Sequence, residues 1–329
     1  SAGNVLTNGA MIQVLKNVGT MENQGWELQF GVDIIRNRNF KWNFNIDASF
    51  LKNKVVKLPD GKDIVGQALF QGKSRYEHYL YTWAGVDRAT GNSLYKMEPN
   101  SPDYWEYDAN GKHVYNESAY LSKLKAAKAS GHYFEIDGEG YTDQTQYAGR
   151  QVQGTSLPTV YGSFGTNLSW KGLNFSMLFT YSLGGKTYNG IYASLMGVSS
   201  QGAPSALHKD NLKSWTEPNG VQNADGTWQH IIDPNGVPVN DTELSQYNNS
   251  GSSRFLFSSN YLTLKNINLN YDFPKKWVNA LKLQNINVGV SIDNLFIATT
   301  KKGMNPQYSF GGGQGNYFMP ARVFNFSLA

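Results

Sequence analysis

The chain has 329 residues and a formal net charge of +4, with 16% charged and 40% hydrophobic residues. Mean hydropathy is −0.47, and no run of about 18 apolar residues occurs, which excludes a transmembrane helix. Cysteine is absent, so disulfides and thiolate metal sites are excluded, and so small a net charge gives no argument for nucleic acid.

Ser1–Gly19 lacks a basic region followed by an apolar core, so the chain is expected to be an internal piece of a longer protein or one whose leader was removed. Side chains on a strand alternate between faces. Residues 25–37 set Trp26, Leu28, Phe30, Val32 and Ile34 against Glu27, Gln29, Gly31 and Asp33. After a tight turn at Asn37-Arg38-Asn39, residues 40–53 set Phe40, Trp42, Phe44, Ile46, Ala48 and Phe50 against Lys41, Asn43, Asn45, Asp47 and Ser49. Strands are expected next at 76–87 and 91–98, joined by Asp87–Gly91 with Gly91 at a positive φ. Their oily face is ambiguous, because Tyr79, Tyr81 and Trp83 alternate with Leu80, Thr82 and Ala84. Stretch 117–130 predicts a short helix with Leu121, Leu124 and Ala127 on one side.

Residues 158–170 and 172–184 form a hairpin through Lys171-Gly172. Its second strand sets Leu173, Phe175, Met177, Phe179, Tyr181 and Leu183 against Asn174, Ser176, Leu178, Thr180 and Ser182. In 259–273 the register changes: Leu262 and Leu264 fall on one parity, Ile267, Leu269, Tyr271 and Phe273 on the other. A bulge near Lys265-Asn266 reconciles them; otherwise Leu262 and Leu264 face a plug or loop. A segment from Pro274 to Leu283, with one helical turn, leads to a strand at 284–298, and the last strand is 319–329.

The fold class is all-β. The pattern fits a transmembrane antiparallel barrel segment of about nine strands, with lipid on the oily side and polar filling on the other. Trp26, Phe30, Trp42, Phe44, Phe175, Phe179, Phe324 and Phe326 are expected to face lipid. Glu27, Asp33, Lys41, Asp47, Asn174 and Asp293 face the lumen, where water or a charged plug satisfies them. Short turns on one side and long connections on the other give extracellular loops at 1–24, 99–157 and 185–258. They separate four barrel strands in 25–98, a barrel hairpin in 158–184 and three strands in 259–329. An odd count with an extracellular start does not close alone, so the remaining strands are expected elsewhere.

Five ordered stretches carry a resemblance: Asn17-Val18-Gly19 with Met21, Asn23, Gly25 and Glu27; Ala84-Gly85-Val86-Asp87 with Thr90-Gly91 and Leu94-Tyr95; Pro158, Tyr161-Gly162-Ser163, Lys171-Gly172 and Gly184-Gly185-Lys186; Ser259-Asn260-Tyr261-Leu262-Thr263-Leu264-Lys265-Asn266-Ile267; and Asp293-Asn294-Leu295-Phe296 with Asn305-Pro306. Together they resemble the C-terminal part of the SusC/RagA family of TonB-dependent outer-membrane transporters. The resemblance implies that these are the last nine strands of a barrel of about 22, multi-pass in the outer membrane of a Gram-negative bacterium. It further implies a plug and a TonB-binding segment outside this chain, a SusD-like surface lipoprotein as lid, and oligosaccharide or peptide cargo. Asn305 departs from the acidic residue usual before that proline.

No enzymatic activity is expected: His78, His113, His132, His208 and His230 form no metal or catalytic spacing. No cofactor is expected. Loop calcium is conceivable at Asp233, Asn235, Asn240, Asp241 and Glu243, or at Glu135, Asp137, Glu139 and Asp143, although polar turns explain both groups. Tyr104, Trp105, Tyr107, Trp215, Trp228 and Tyr247 are the candidates for cargo or lid contact, since a flat ring stacks on a sugar or peptide side chain; the plainer reading is packing among loops. The rival to the barrel is a soluble surface β-sandwich that binds glycans or acts as an adhesin.

Overall fold

The alternating segments form strands in a computed structural model that describes residues 2–7, 10–15, 19–59, 64–65, 69–110, 112–198, 206–308, 313–314 and 319–329. Seven make one sheet: β1 (Thr20–Arg36), β2 (Phe40–Lys57), β3 (Val160–Trp170), β4 (Leu173–Leu183), β5 (Tyr261–Asp272), β6 (Asn287–Thr299) and β7 (Val323–Leu328). Their spatial order follows their order in the chain. Each strand neighbours the next, and the paired registers from β2 to β7 are antiparallel. The β1–β2, β3–β4 and β5–β6 hairpins turn at one end, and the long connections begin and finish at the other.

The register sorts the side chains into two faces. One row reads Trp42, Leu168, Phe175, Leu269, Val290 and Phe326; the next reads Phe44, Thr166, Met177, Ile267, Ile292 and Phe324. Between them on the opposite face lies Asn43, Asn167, Ser176, Asn268, Ser291 and Asn325. The oily face is open: Trp26, Phe324 and Phe326 are exposed, Phe326 by 80%. A β-sandwich would bury this face against a second sheet, so the exposed rings oppose that rival.

The bulge falls where the sequence places it. Pairing of β4 with β5 shifts between Leu178 and Phe179, and that of β5 with β6 between Leu264 and Asn266. Against β4 Lys265 is the extra residue; against β6 it faces two residues, Asn294 and Leu295. Leu264 therefore stands opposite Phe179 and Phe296 on the oily face, not toward an interior plug. Asn294 absorbs the shift in β6 at φ 53°, and its amide donates to the Ala321 carbonyl at 3.2 Å. Asparagine tolerates the left-handed region better than a branched residue. Asn294→Val is expected to cost about 1–2 kcal/mol, while Asn294→Gly keeps the backbone. Unfolding midpoints of both variants check this, and equal midpoints would refute the role given to Asn294.

Two expected barrel strands lie elsewhere. The stretch expected as one strand at 76–87 divides into Glu77–Tyr81 and Trp83–Asp87. Glu77–Tyr81 pairs with Arg150–Thr155. Trp83–Asp87 and Ser93–Lys96 join a separate five-stranded sheet with Phe134–Ile136, Glu139–Thr142 and Ile232–Asp233. The ambiguous oily face was the sign: Val86, Leu94, Tyr95 and Met97 are all buried, as in a strand covered on both faces. The turn between them is as expected, with Gly91 at φ 76°.

The chain thus divides into two units, one of residues 24–52, 155–189 and 257–329, the other of 1–23, 53–154 and 190–256. The second has its own core, including Leu94, Tyr95, Ala127, Met196 and Phe255. Its helix α1 (Glu117–Ala129) is capped by Asn116, whose side chain accepts from the Ala119 amide. The helical turn in the β5–β6 connection is α2 (Lys275–Ala280).

Candidate functional site: the polar wall and the loop aromatics

Alternation places the polar side chains of the sheet on one wall, where several of the charges have local partners. Asp47 accepts from the amide and hydroxyl of Ser163, at 3.2 and 2.5 Å. Asp293 accepts from Asn266 Nδ2 at 2.6 Å. Asp33 accepts from Asn43 at 3.2 Å and pairs with Arg36. Asn174 donates to Asp272 at 3.1 Å. Glu27 and Lys41 are exposed. Within the chain, amides and hydroxyls of neighbouring strands supply partners to Asp47, Asp293 and Asp33 on this face.

At the end of the wall away from the hairpin turns lies a cavity of about 200 Å³. Ser156, Tyr161, Ser182, Ser259, Tyr261 and Gln307 contribute to its lining. Hydroxyls, a carboxamide and two phenol rings suit a neutral polar ligand, because rings cover an apolar sugar or side-chain face while the hydroxyls exchange hydrogen bonds.

The six loop aromatics do not form one site. Tyr104 is 3% exposed, its hydroxyl donating to the Tyr147 carbonyl at 3.2 Å and its ring 5.5 Å from Tyr120. Burial pushes its phenol pKa upward. It is therefore a core residue, which corrects its expected place at a contact surface. Trp215 lies over Gly91, where an added Cβ would come within 2.5 Å of the ring, and its indole donates to the Arg88 carbonyl at 3.0 Å. The Tyr247 carbonyl accepts from the hydroxyl of buried Tyr95, whose pKa burial pushes up to about 12. Trp105 and Trp228 are half-buried. Tyr107 is exposed and stacks on His113 at 3.8 Å.

A cluster that sequence reasoning missed stands beside Tyr104. Arg150 grips Asp103 with two nitrogens at 2.7 and 3.1 Å, and its guanidinium lies 4.8 Å from the Tyr79 ring. Tyr79 also donates to Asp103 at 3.0 Å. The sequence signal was the Tyr79/Tyr81 alternation, without any hint of the arginine 71 residues away from the position of Tyr79.

Four of the acidic residues weighed for calcium have partners within the chain. Asp233 accepts from the Asn235 amide, Asp241 from Glu243 and Leu244, and Glu139 pairs with Lys96. Asp143 holds His132 at 2.7 Å. Among the described residues, no three His, Asp or Glu side chains gather at one point.

An antiparallel sheet with one open apolar face and one hydrogen-bonding face is what a portion of a β-barrel presents. No protein-family model matches the chain. Relatives do: it is 26% identical over 317 residues to the TonB-dependent receptor P39 of Formosa agariphila, covering 92% of this chain and 29% of that protein. It is 23% identical over 301 residues to the TonB-dependent receptor SusC of Bacteroides thetaiotaomicron, covering 91% of this chain and 25% of SusC. The fold matches the RagAB peptide importer in its closed-closed state with a TM-score of 0.66 at 20% identity, covering 96% of this chain and 30% of that one. The chain is thus SusC/RagA-like, and it spans less than a third of the length of these relatives. Their names are those of receptors and importers, not of enzymes.

Proposed function

We propose that the chain supplies part of the wall and rim of a TonB-powered importer in the outer membrane, one that carries oligosaccharides or peptides and works with a SusD-like surface lipoprotein as lid. The observation that carries this reading is the two-faced sheet, apolar and open on one side and lined with amides and hydroxyls on the other. Trp26, Phe30, Trp42, Phe44, Phe175, Phe179, Phe324 and Phe326 meet lipid in this reading. The chain's own residues act passively, as wall and as loop surface; transport energy enters through parts of the protein outside this chain. Tyr107, Trp105 and Trp228 remain the loop rings proposed for cargo or lid.

The test is purification of the complete polypeptide from detergent-extracted membranes, with identification of what accompanies it. A lipoprotein in near-equal amount, and retention of labelled oligosaccharides or peptides by the pair, are the expected results. A polypeptide that stays soluble without detergent and brings no lipoprotein would sink the proposal.

A further inference from the structure

The three short hairpin turns of the sheet share one end, and their composition is one-sided. Arg38, Lys171, Lys275, Lys276 and Lys282 occupy them, all exposed. Residues 37–39, 170–172 and 273–286 contain no Asp or Glu. The adjacent Asp272 is drawn to the polar face, where Asn174 and Asn287 donate to it at 3.1 and 2.7 Å. The cations at this end therefore have no acidic side chain within the turns themselves.

Aromatic and apolar groups accompany them. Tyr271 belongs to the oily face, opposite Leu173 and Val288. Its ring meets Phe273 at 4.9 Å, and Phe273 meets Trp277 of α2 at 6.2 Å. The oily face thus continues onto α2, where Trp277 is 56% exposed beside exposed Leu281 and Leu283. At the neighbouring turn Trp170 is also exposed, with Lys171 Nζ 5.7 Å from its ring centre. Two of the lysines stand at left-handed backbone positions, Lys171 at φ 49° and Lys282 at φ 60°. Such positions ordinarily take glycine or asparagine, so at both the backbone carries strain that glycine would avoid.

Exposed tryptophan and lysine together, at the edge of an apolar band, match the chemistry of a bilayer interface. The indole sits at headgroup level, the lysine stem lies along apolar surface and the ammonium reaches phosphate. The turns belong to adjacent hairpins, so they form a collar across six strands, about 24 Å wide at about 4.8 Å per strand. We propose that this turn end of the sheet is a binding surface for anionic phospholipid headgroups. Trp170, Trp277, Leu281 and Leu283 enter the boundary between headgroups and acyl chains, and the five cations hold phosphates. The inference rests on the barrel reading above and goes beyond it by naming a lipid partner and the residues that select it.

The experiment counts lipids retained by the complete detergent-solubilised polypeptide in native mass spectrometry, after exchange with phosphatidylglycerol or phosphatidylcholine. The wild type is expected to retain phosphatidylglycerol at least about tenfold better, given that each basic group near an anionic surface contributes. The variant Arg38→Gln/Lys171→Gln/Lys275→Gln/Lys276→Gln/Lys282→Gln should lose that preference. A second variant with the four lysines changed to arginine should keep it, which separates charge from turn folding. Equal retention of the two lipids, an unchanged preference in the glutamine variant, or displacement of lipid by inorganic phosphate would each overturn the proposal. A polypeptide that needs no detergent would instead remove the barrel reading itself.

Discussion

Phe179→Arg is expected to destabilise the sheet by about 2–4 kcal/mol, the range for a cation near the middle of a barrel's lipid face. Phe179 occupies the centre of β4, stacked on Phe164 at 4.8 Å with an interplanar angle of 9° and edge-on to Phe296 at 6.5 Å. Its row continues through Ile46 and Leu264, so no polar neighbour awaits a guanidinium. Thr180→Arg is the matched control, because Thr180 faces the polar wall between Ser163 and Thr263; its expected cost is below about 1 kcal/mol. Equilibrium unfolding of the complete polypeptide in lipid vesicles measures both. Equal costs for the two variants would mean that the oily face does not meet lipid.

The second large effect is expected at Asp87, a carboxylate 0% exposed in the unit that includes residues 53–154. It accepts from the Ala89 amide at 3.0 Å and from the Thr90 hydroxyl at 2.8 Å, and holds His230 Nδ1 at 2.8 Å. These bonds shape the Asp87–Gly91 turn that Trp215 covers and fasten it to the strand Ile232–Asp233. Hydrogen bonds to a buried charge contribute roughly 1.5–3 kcal/mol each, and the partners left behind add their own cost. Asp87→Ala should therefore lower the opening free energy of amides in residues 83–96 by about 3 kcal/mol, read by hydrogen exchange. Asp87→Asn, which keeps one acceptor oxygen for the Ala89 amide but not the second, on which Thr90 and His230 meet, should lose less. A loss under about 0.5 kcal/mol in the alanine variant would show that the turn is held by its packing alone.

The seven strands of the main sheet were legible because each has one apolar face and a period of two. The bulge at Lys265 was legible for the same reason, since the parity of Leu264 and Ile267 conflicts unless one residue is skipped. The two strands around Gly91 were legible as strands and as a turn, but not in their destination. Alternating aromatics look alike whether they face lipid or a protein core, and only the burial of Leu94 and Tyr95 tells the two apart. Tyr104 shows the same limit at a single residue: a tyrosine in a polar, turn-rich stretch reads as a contact ring, whereas packing encloses it.

The sequence by itself determined which strands have one apolar and one polar face. Period-two apolar faces, tight Asn-, Lys- and Gly-bearing turns and five ordered stretches are local properties, and local chemistry suffices to specify strand and face. The tertiary structure alone decided which strands share a sheet, which rings are enclosed and which cations gather at one end. Those outcomes depend on pairings between segments far apart in the chain, such as Asp47 with Ser163, Arg150 with Asp103 and Asp87 with His230. No window of neighbouring residues contains both partners, so only the folded arrangement sets the energy of those pairings.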